Sequence, residues 1–463
     1  VKVGFLVPEF MDSPKYSETI AEILPGETIE VPIFALFRSN ILGITEATSV
    51  SSQILVEYKE RDDTLTSSIV QTVQVLNRNS MTWDDDKKAA SFVTANDPTV
   101  LRFARNTTAA VRSIAQVAVD ERLRIAMAVY EALNLHGMEY VIDPNSSYIE
   151  LSENTSALDY IQFPQQTLDF RTGDCDDLSI LYSALLESVG IETAFITIPG
   201  HIFVAFALDL DEASVRETFI RPQDFVFVDG KTWVPIEITL IRENFLKAWE
   251  VGARQWRENA LGEVAELIPV RDAWTYYPPT GFASEALALS VPQSDLVIGQ
   301  YTQVLNQLVR REIGPQVEDL ESRIAASGGN VRIVNRLGTL YARYGMYSDA
   351  KTEFEKIILV DSRNLAALVN LGNIEYLSSN LQEAQRYFTL ARNVQQDNPS
   401  VLLSLARVHF DLEEYTVAQQ TYREAELISP EIASGFSYIV NESQEVGRAS
   451  SAQDRNRVLW IGE

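Results

Sequence analysis

The sequence predicts a multidomain chain: an all-β region over residues 1–80, an α+β domain over 81–275, and a C-terminal α-solenoid over 329–448. A helical linker (276–328) precedes the solenoid and a tail (449–463) follows it. Three observations carry this expectation. β-branched and aromatic residues crowd the first 80 positions, an apolar helix followed by paired strand-like runs fills the middle, and a strict 34-residue repeat occupies the last third.

The composition fits that division and excludes several functions. With 463 residues the chain exceeds one ordinary core, and 46% apolar and 10% aromatic residues suffice for packed domains. A net charge of −27 repels phosphate backbones and anionic headgroups, which argues against nucleic acid as a partner. The single cysteine cannot form an internal disulfide, so the redox compartment stays open. No run approaches a membrane span, and no signal peptide is visible. The chain opens on "VKVGFLVPEF", without Met and inside a strand-like run, which reads as a processed or partial chain.

In the first region "ETIEVPIFALF" and "QILVEYKE" read as strands of a sandwich-like domain, separated by the turn chemistry of "LPGE" and "KERDD". Helical periodicity then runs from Pro98 to Leu135, with Val100, Leu101, Ala104, Ala110, Val111, Ile114, Val117 and Ala118 on its apolar positions. "MEYVIDPNSSYIE" breaks that helix. "TAFITIP" and "HIFVAFALD" read as two strands, and Asp229–Gly230 marks a tight hairpin inside "DFVFVDGKTWVPIEIT". "NFLKAWEVGARQW" is an amphipathic helix. From Ser284 to Ala326 the chain reads helical, broken at Pro315, and "SGGN" at 327–330 stops it.

Leu337 and Gly338 recur 34 residues on as Leu371 and Gly372, and again as Leu405 and Ala406. Ala350 and Phe354 recur as Ala384 and Phe388, then as Ala418 and Tyr422. This period, with Gly345 and Tyr347 at the first turn, resembles the tetratricopeptide repeat, two helices per copy. The small positions let the helices approach, and the aromatic one fills the space behind them. "PEIASGFSYIVNESQEV" is expected to cap the last copy. Arrays of this kind mostly bind a protein or peptide in their groove, which is the partner expected here.

The middle domain holds the one candidate site. "TGDCDDLSILYSALLESVG" places Cys175 in the first turn of a helix, with Asp174 as N-cap and Gly190 beyond its end. The helix N-terminus favours a thiolate there, while Asp174, Asp176 and Asp177 oppose it. His201 follows a Pro-Gly turn and starts the run "IFVAF", within reach of Cys175 by one helix and one strand. Glu237, a carboxylate in the apolar run "TWVPIEIT", is the candidate to orient the imidazole; Asp229 is explained by its turn. The three aspartates could hold calcium, but helix capping is the preferred reading. No phosphate loop is present, and the His and Cys residues are too scattered for a metal set, so no cofactor and no metal are predicted.

These three blocks resemble the motifs of the transglutaminase-like superfamily, with papain-like Cys-His-Asp logic, over roughly residues 100–260. The third block departs from the pattern: after Trp233, Glu237 stands where the family carries Asp. The resemblance implies a transglutaminase-like cysteine hydrolase or acyltransferase acting on protein or peptide amides, with Cys175 as nucleophile, His201 as acid and base, and Glu237 holding His201. Its oxyanion donors would be the Cys175 N–H and an upstream side chain, Gln162 being favoured over Gln165 and Gln166. The alternative is a non-catalytic envelope assembly scaffold that keeps the fold. The combination of modules resembles proteins of the bacterial periplasm or cell envelope.

Overall fold

The computed structural model describes residues 1–60, 63–112, 119–142, 157–281, 291–440 and 458–462. The chain divides into two compact units: 1–107 with 129–212 and 223–293, and 108–128 with 213–222 and 294–463. No helix among the described residues is long and apolar enough to cross a membrane.

In the first unit, β1 (Lys2–Leu6), β2 (Lys15–Tyr16), β3 (Thr48–Glu60) and β4 (Asp63–Val75) form one antiparallel sheet in the order β2-β1-β3-β4. "QILVEYKE" lies in β3 as expected, but "ETIEVPIFALF" forms no strand. Both edges of β1 are already paired, by β2 and β3, and Phe34 and Leu36 stay exposed.

β5 (Ser80–Thr82) leads to α1 (Pro98–Arg112) and α2 (Glu121–His136). The expected single helix to Leu135 is thus two, interrupted at 119–120; Ile114, Val117 and Ala118 lie outside the described residues. Short strands follow: β6 (Glu139–Tyr140), and β7 (Leu158–Tyr160), which pairs with β5. Then come α3 (Pro164–Phe170), β8 (Thr172–Gly173) and α4 (Cys175–Glu187). β6 and β8 pair in parallel, with Tyr140 opposite Gly173.

β9 (Thr193–Ile198) and β10 (His201–Ala207) form the expected hairpin, and α5 (Glu212–Thr218) follows. β11 (Val226–Val228) and β12 (Lys231–Ile236) flank Asp229 and Gly230, both at positive φ, as an Asp-Gly hairpin turn requires. α6 (Phe245–Ala260), β13 (Glu266–Pro269) and α7 (Val270–Ala273) complete this stretch. The sheet order is β11-β12-β10-β9-β13, antiparallel throughout. β9 and β10 are nearly continuous apolar runs because both sheet faces are covered. One face buries Ile196, Phe203, Ala205 and Trp233 together. On the other, α4 packs against β9 and β10, and α6 against β12. From Cys175 to Leu186 every residue of α4 is buried, which makes it the central helix of the layer.

In the second unit, α8 (Ser294–Ala326) runs unbroken through Pro315, contrary to expectation. The apolar stripe of Val304, Leu308, Ile313 and Leu320 is buried on both sides of the proline, so packing offsets the missing N–H. Gly328 and Gly329, both at positive φ, end the helix. Three helix pairs follow: α9 (Val331–Arg343) with α10 (Tyr347–Val360), α11 (Leu365–Leu377) with α12 (Leu381–Val394), and α13 (Pro399–Asp411) with α14 (Tyr415–Ile428). Each first helix is capped by an asparagine side chain, Asn330, Asn364 and Asn398, so the caps obey the same period.

A Cβ on Gly338 would lie 2.6 Å from the Phe354 ring, and one on Gly372 2.5 Å from Phe388, which accounts for the small-and-aromatic pairing in the repeat. This helical array is compatible with a tetratricopeptide-like solenoid. Its expected capping helix is two short turns, α15 (Pro430–Ser434) and a 3-10 turn at Ser437–Ile439; the remaining residues of that segment, from 441, lie outside the described residues. Phe436, Tyr438 and Ile439 cover Leu402, Leu403 and Tyr422.

Candidate active site

Cys175 is the first residue of α4, and Asp174 caps that helix by accepting from the Asp177 N–H. α4 lies on β10, whose first residue is His201. His201 Nε2 sits 2.7 Å from Glu237 Oε2. Glu237 is not inside a strand, as its sequence neighbours suggest. It lies one residue beyond β12 and caps the 3-10 turn Ile238–Leu240, accepting from the Thr239 N–H and hydroxyl. The Glu237 N–H in turn donates to the Ala248 carbonyl of α6 at 3.1 Å. Sheet end, turn and helix therefore fix this carboxylate from three sides.

The electrostatics separate the partners. Burial raises the Glu237 carboxyl, but the His201 hydrogen bond and charge, with the Thr239 donors, outweigh it and hold the group below the ordinary carboxylate range. Glu237 is 3% exposed and His201 22%. A buried, ionised carboxylate on Nε2 sets the tautomer with the proton at Nε2 and leaves Nδ1 to accept one. The His201 ring also stacks on Phe203, with centroids 5.8 Å apart.

Cys175 is 5% exposed, and burial first, then the Asp174 charge and Glu237, push its thiol well above the ordinary range. The backbone N–H groups of Ile202 and Asp176 act the other way without prevailing. The resting thiol is therefore protonated, and the first-turn position does not produce a standing thiolate. Asp174, Asp176 and Asp177 are all buried, with one carboxylate oxygen each within 4.8 Å of the others. Burial and the Asp174 charge raise both Asp176 and Asp177 well above the carboxylate range, and the Asp176 Oδ2 is buried without a hydrogen-bond partner. Three buried carboxylates this close disfavour full ionisation of the cluster.

Asp177 also accepts from the Gln162 N–H at 2.7 Å, which draws Gln162 to the start of α4. The Gln162 Oε1 is buried without a hydrogen-bond partner. Gln166 is committed elsewhere: its Oε1 accepts from Asn79 and from the Phe163 N–H. Of the other histidines, His136 bonds the Leu168 carbonyl and His409 pairs with Glu414, both ordinary structural roles.

Tyr140 was not singled out in the sequence. The parallel pairing of β6 with β8 brings it beside Gly173. Burial, then the charges of Cys175, Asp174, Glu237 and Asp176, raise its phenol to about 12. It stays a neutral phenol at the start of α4. No sequence signal marks it, because a two-residue parallel pairing leaves no periodicity.

No family model matches the chain, and no curated protein matches it. Two solved structures of MamA, 18% and 19% identical, cover 34% of this chain and 88% and 85% of their own, each with a TM-score of 0.25. At that TM-score the likeness carries no argument.

Proposed function

We propose that the chain is a cysteine hydrolase or acyltransferase of the transglutaminase-like kind, acting on protein or peptide amides, with the helix pairs recruiting a protein partner. The observation that carries the reading is the His201–Glu237 bond at 2.7 Å, at the edge of the strand on which the Cys175 helix packs. His201 Nδ1 takes the thiol proton as Sγ attacks the amide carbonyl. The negative charge that develops on oxygen is met by the Cys175 N–H, with Gln162 and Tyr140 as further donors. The intermediate collapses to a thioester as the imidazolium protonates the leaving amine. Water, or a second amine, then attacks the thioester with His201 again as base. Because the resting thiol is neutral, proton transfer accompanies attack rather than preceding it.

A scaffold reading is favoured by one observation: the cysteine is buried and its thiol raised by burial and by Asp174. Alkylation by iodoacetamide, followed by intact mass across pH in the wild type and in His201→Ala, separates the two. The enzyme reading expects modification near neutral pH that slows at least about tenfold without His201. A thiol equally inert in both proteins would refute it.

A further inference from the structure

Residues 458–462 occupy a site built by the helix pairs. The Asn370 Nδ2 donates to the Ile461 carbonyl at 3.0 Å while its Oδ1 accepts from the Ile461 N–H at 3.0 Å. One turn along α11, the Asn373 Nδ2 donates to the Leu459 carbonyl at 2.9 Å. From α9, the Asn335 Nδ2 reaches the Ile461 and Gly462 carbonyls at 2.9 and 3.0 Å. Asn335 and Asn370 are also bonded to each other, at 3.1 Å. All three amides are buried, at 3%, 0% and 0% exposure. The side chains are seated as well. Trp460 packs on the cluster of Val334, Leu371 and Ile374, Val458 and Ile461 on that of Leu368, Val369 and Leu405, and Leu459 on that of Leu402 and Phe436. Gly462 has φ +84, and a Cβ there would stand 2.7 Å from the Asn335 Nδ2.

The chemistry of this contact is that of peptide recognition. Side chains at i and i+3 of a helix share a face, and alternate residues of a bound segment point the same way. Asn370 and Asn373 match Ile461 and Leu459 on that spacing. The polar contacts read main chain only, so they accept any sequence, and selectivity comes from the apolar seats and from the glycine. Among the described residues no charged side chain reads the segment. Buried amides of this kind cost stability unless paired, so a helix face carrying them is made to be covered by a peptide backbone.

We infer that this face of α9, α11 and α13 is a binding site for an uncharged partner peptide of the pattern large apolar–Trp–large apolar–Gly, and that residues 458–462 are its resident competitor. A partner engages the array by displacing them. This deepens the reading of the helix pairs as a recruiting module and is independent of the chemistry at Cys175.

The test uses the full chain and a fluorescein-labelled peptide Val-Leu-Trp-Ile-Gly with blocked ends, read by anisotropy. Trp460→Ala combined with Ile461→Asp unseats the resident segment and is expected to tighten peptide binding at least tenfold over the intact chain. Adding Asn370→Ala and Asn373→Ala is expected to return it to the intact value or below. Binding to the unseated chain no tighter than to the intact one overturns the competition. Tight binding that survives loss of both asparagines overturns the site. Circular dichroism verifies folding; should the double variant unfold, Gly462→Val, whose Cβ would stand 2.7 Å from the Asn335 Nδ2 at a φ of +84 that a β-branched residue rarely adopts, carries the same comparison. Cys175 alkylation on the same samples reports on the enzyme reading alone, so failure of one is distinguishable from failure of the other. A peptide that never binds, with alkylation still dependent on His201, removes this site and leaves the enzyme intact.

Discussion

Gly252 lies in the middle of α6, where the helix meets the end of β12. A Cβ added there would stand 2.7 Å from the Pro235 carbonyl oxygen and 2.9 Å from both the Pro235 carbonyl carbon and the Glu237 nitrogen. Carbon contacts settle near 3.5–4.0 Å, so Gly252→Ala must open the interface by roughly half an ångström or more. The opposing atoms are backbone at the end of β12 and just beyond it, which has no rotamer to change. Alanine gains about 0.8–1 kcal/mol of helix propensity. Overpacking costs about 1–3 kcal/mol, so the net effect lies between neutrality and a loss of about 2 kcal/mol. The consequence for the site is more specific. The Glu237 N–H is bonded to the Ala248 carbonyl of the same helix, so displacing α6 pulls on the carboxylate that orients His201. Amide hydrogen exchange should report reduced protection confined to α6 and β12, which isolates the effect in a chain with two units. His201-dependent alkylation of Cys175 should slow in parallel. A variant about 1 kcal/mol more stable, with unchanged protection and thiol reactivity, would show that propensity alone governs the position and would refute the close-approach argument.

Two further predictions concern the buried carboxylates. Asp176 is raised well above its ordinary value by burial and by Asp174, so the fold favours its protonated form. Stability from this group is therefore lost as pH rises through the folded value, and Asp176→Asn should melt about 1 kcal/mol more stably at pH 8 with a smaller gain at pH 5. A variant destabilised equally at both pH values would count against that charge burial. Glu237 has the opposite sign: its folded value lies below 4.5, so its contribution is present above that pH and lost as pH falls through the folded value. The melting-temperature gap between wild type and Glu237→Gln should be full at pH 6 and close progressively below about 4.5; a gap constant to pH 3 would mean the His201 contact is not ionic.

Much of this arrangement is legible in the sequence where local chemistry decides the backbone. Asp174 before an apolar helix specifies a cap, Asp229–Gly230 specifies a hairpin, and a Gly or Ala at 338, 372 and 406 set against an aromatic specifies a helix pair. Reading fails where partners are distant. "ETIEVPIFALF" has strand composition but pairs with no strand, and Pro315 sits in a helix that packing sustains. Tyr140 comes beside Gly173, two residues before Cys175, only through a two-residue pairing with β8.

Asn370 and Asn373 show the most useful kind of failure. They stand in "LAALVNLGNIEYL", an apolar helix in which Ala367 to Tyr376 are all buried. A buried amide needs partners for both its oxygen and its nitrogen, and a helix offers none to its own side chains on that face. Two such amides one turn apart thus demand a polar strip from elsewhere, and a peptide backbone running across the helix is the strip that supplies carbonyls and N–H groups at matching spacing. Asn370 obtains both from residue 461, while Asn373 obtains only the Leu459 carbonyl and leaves its Oδ1 buried without a partner. The resident segment therefore satisfies the site incompletely. A peptide that also offered Asn373 an N–H would gain a bond the resident segment does not make, which gives an incoming partner a physical basis for displacing it.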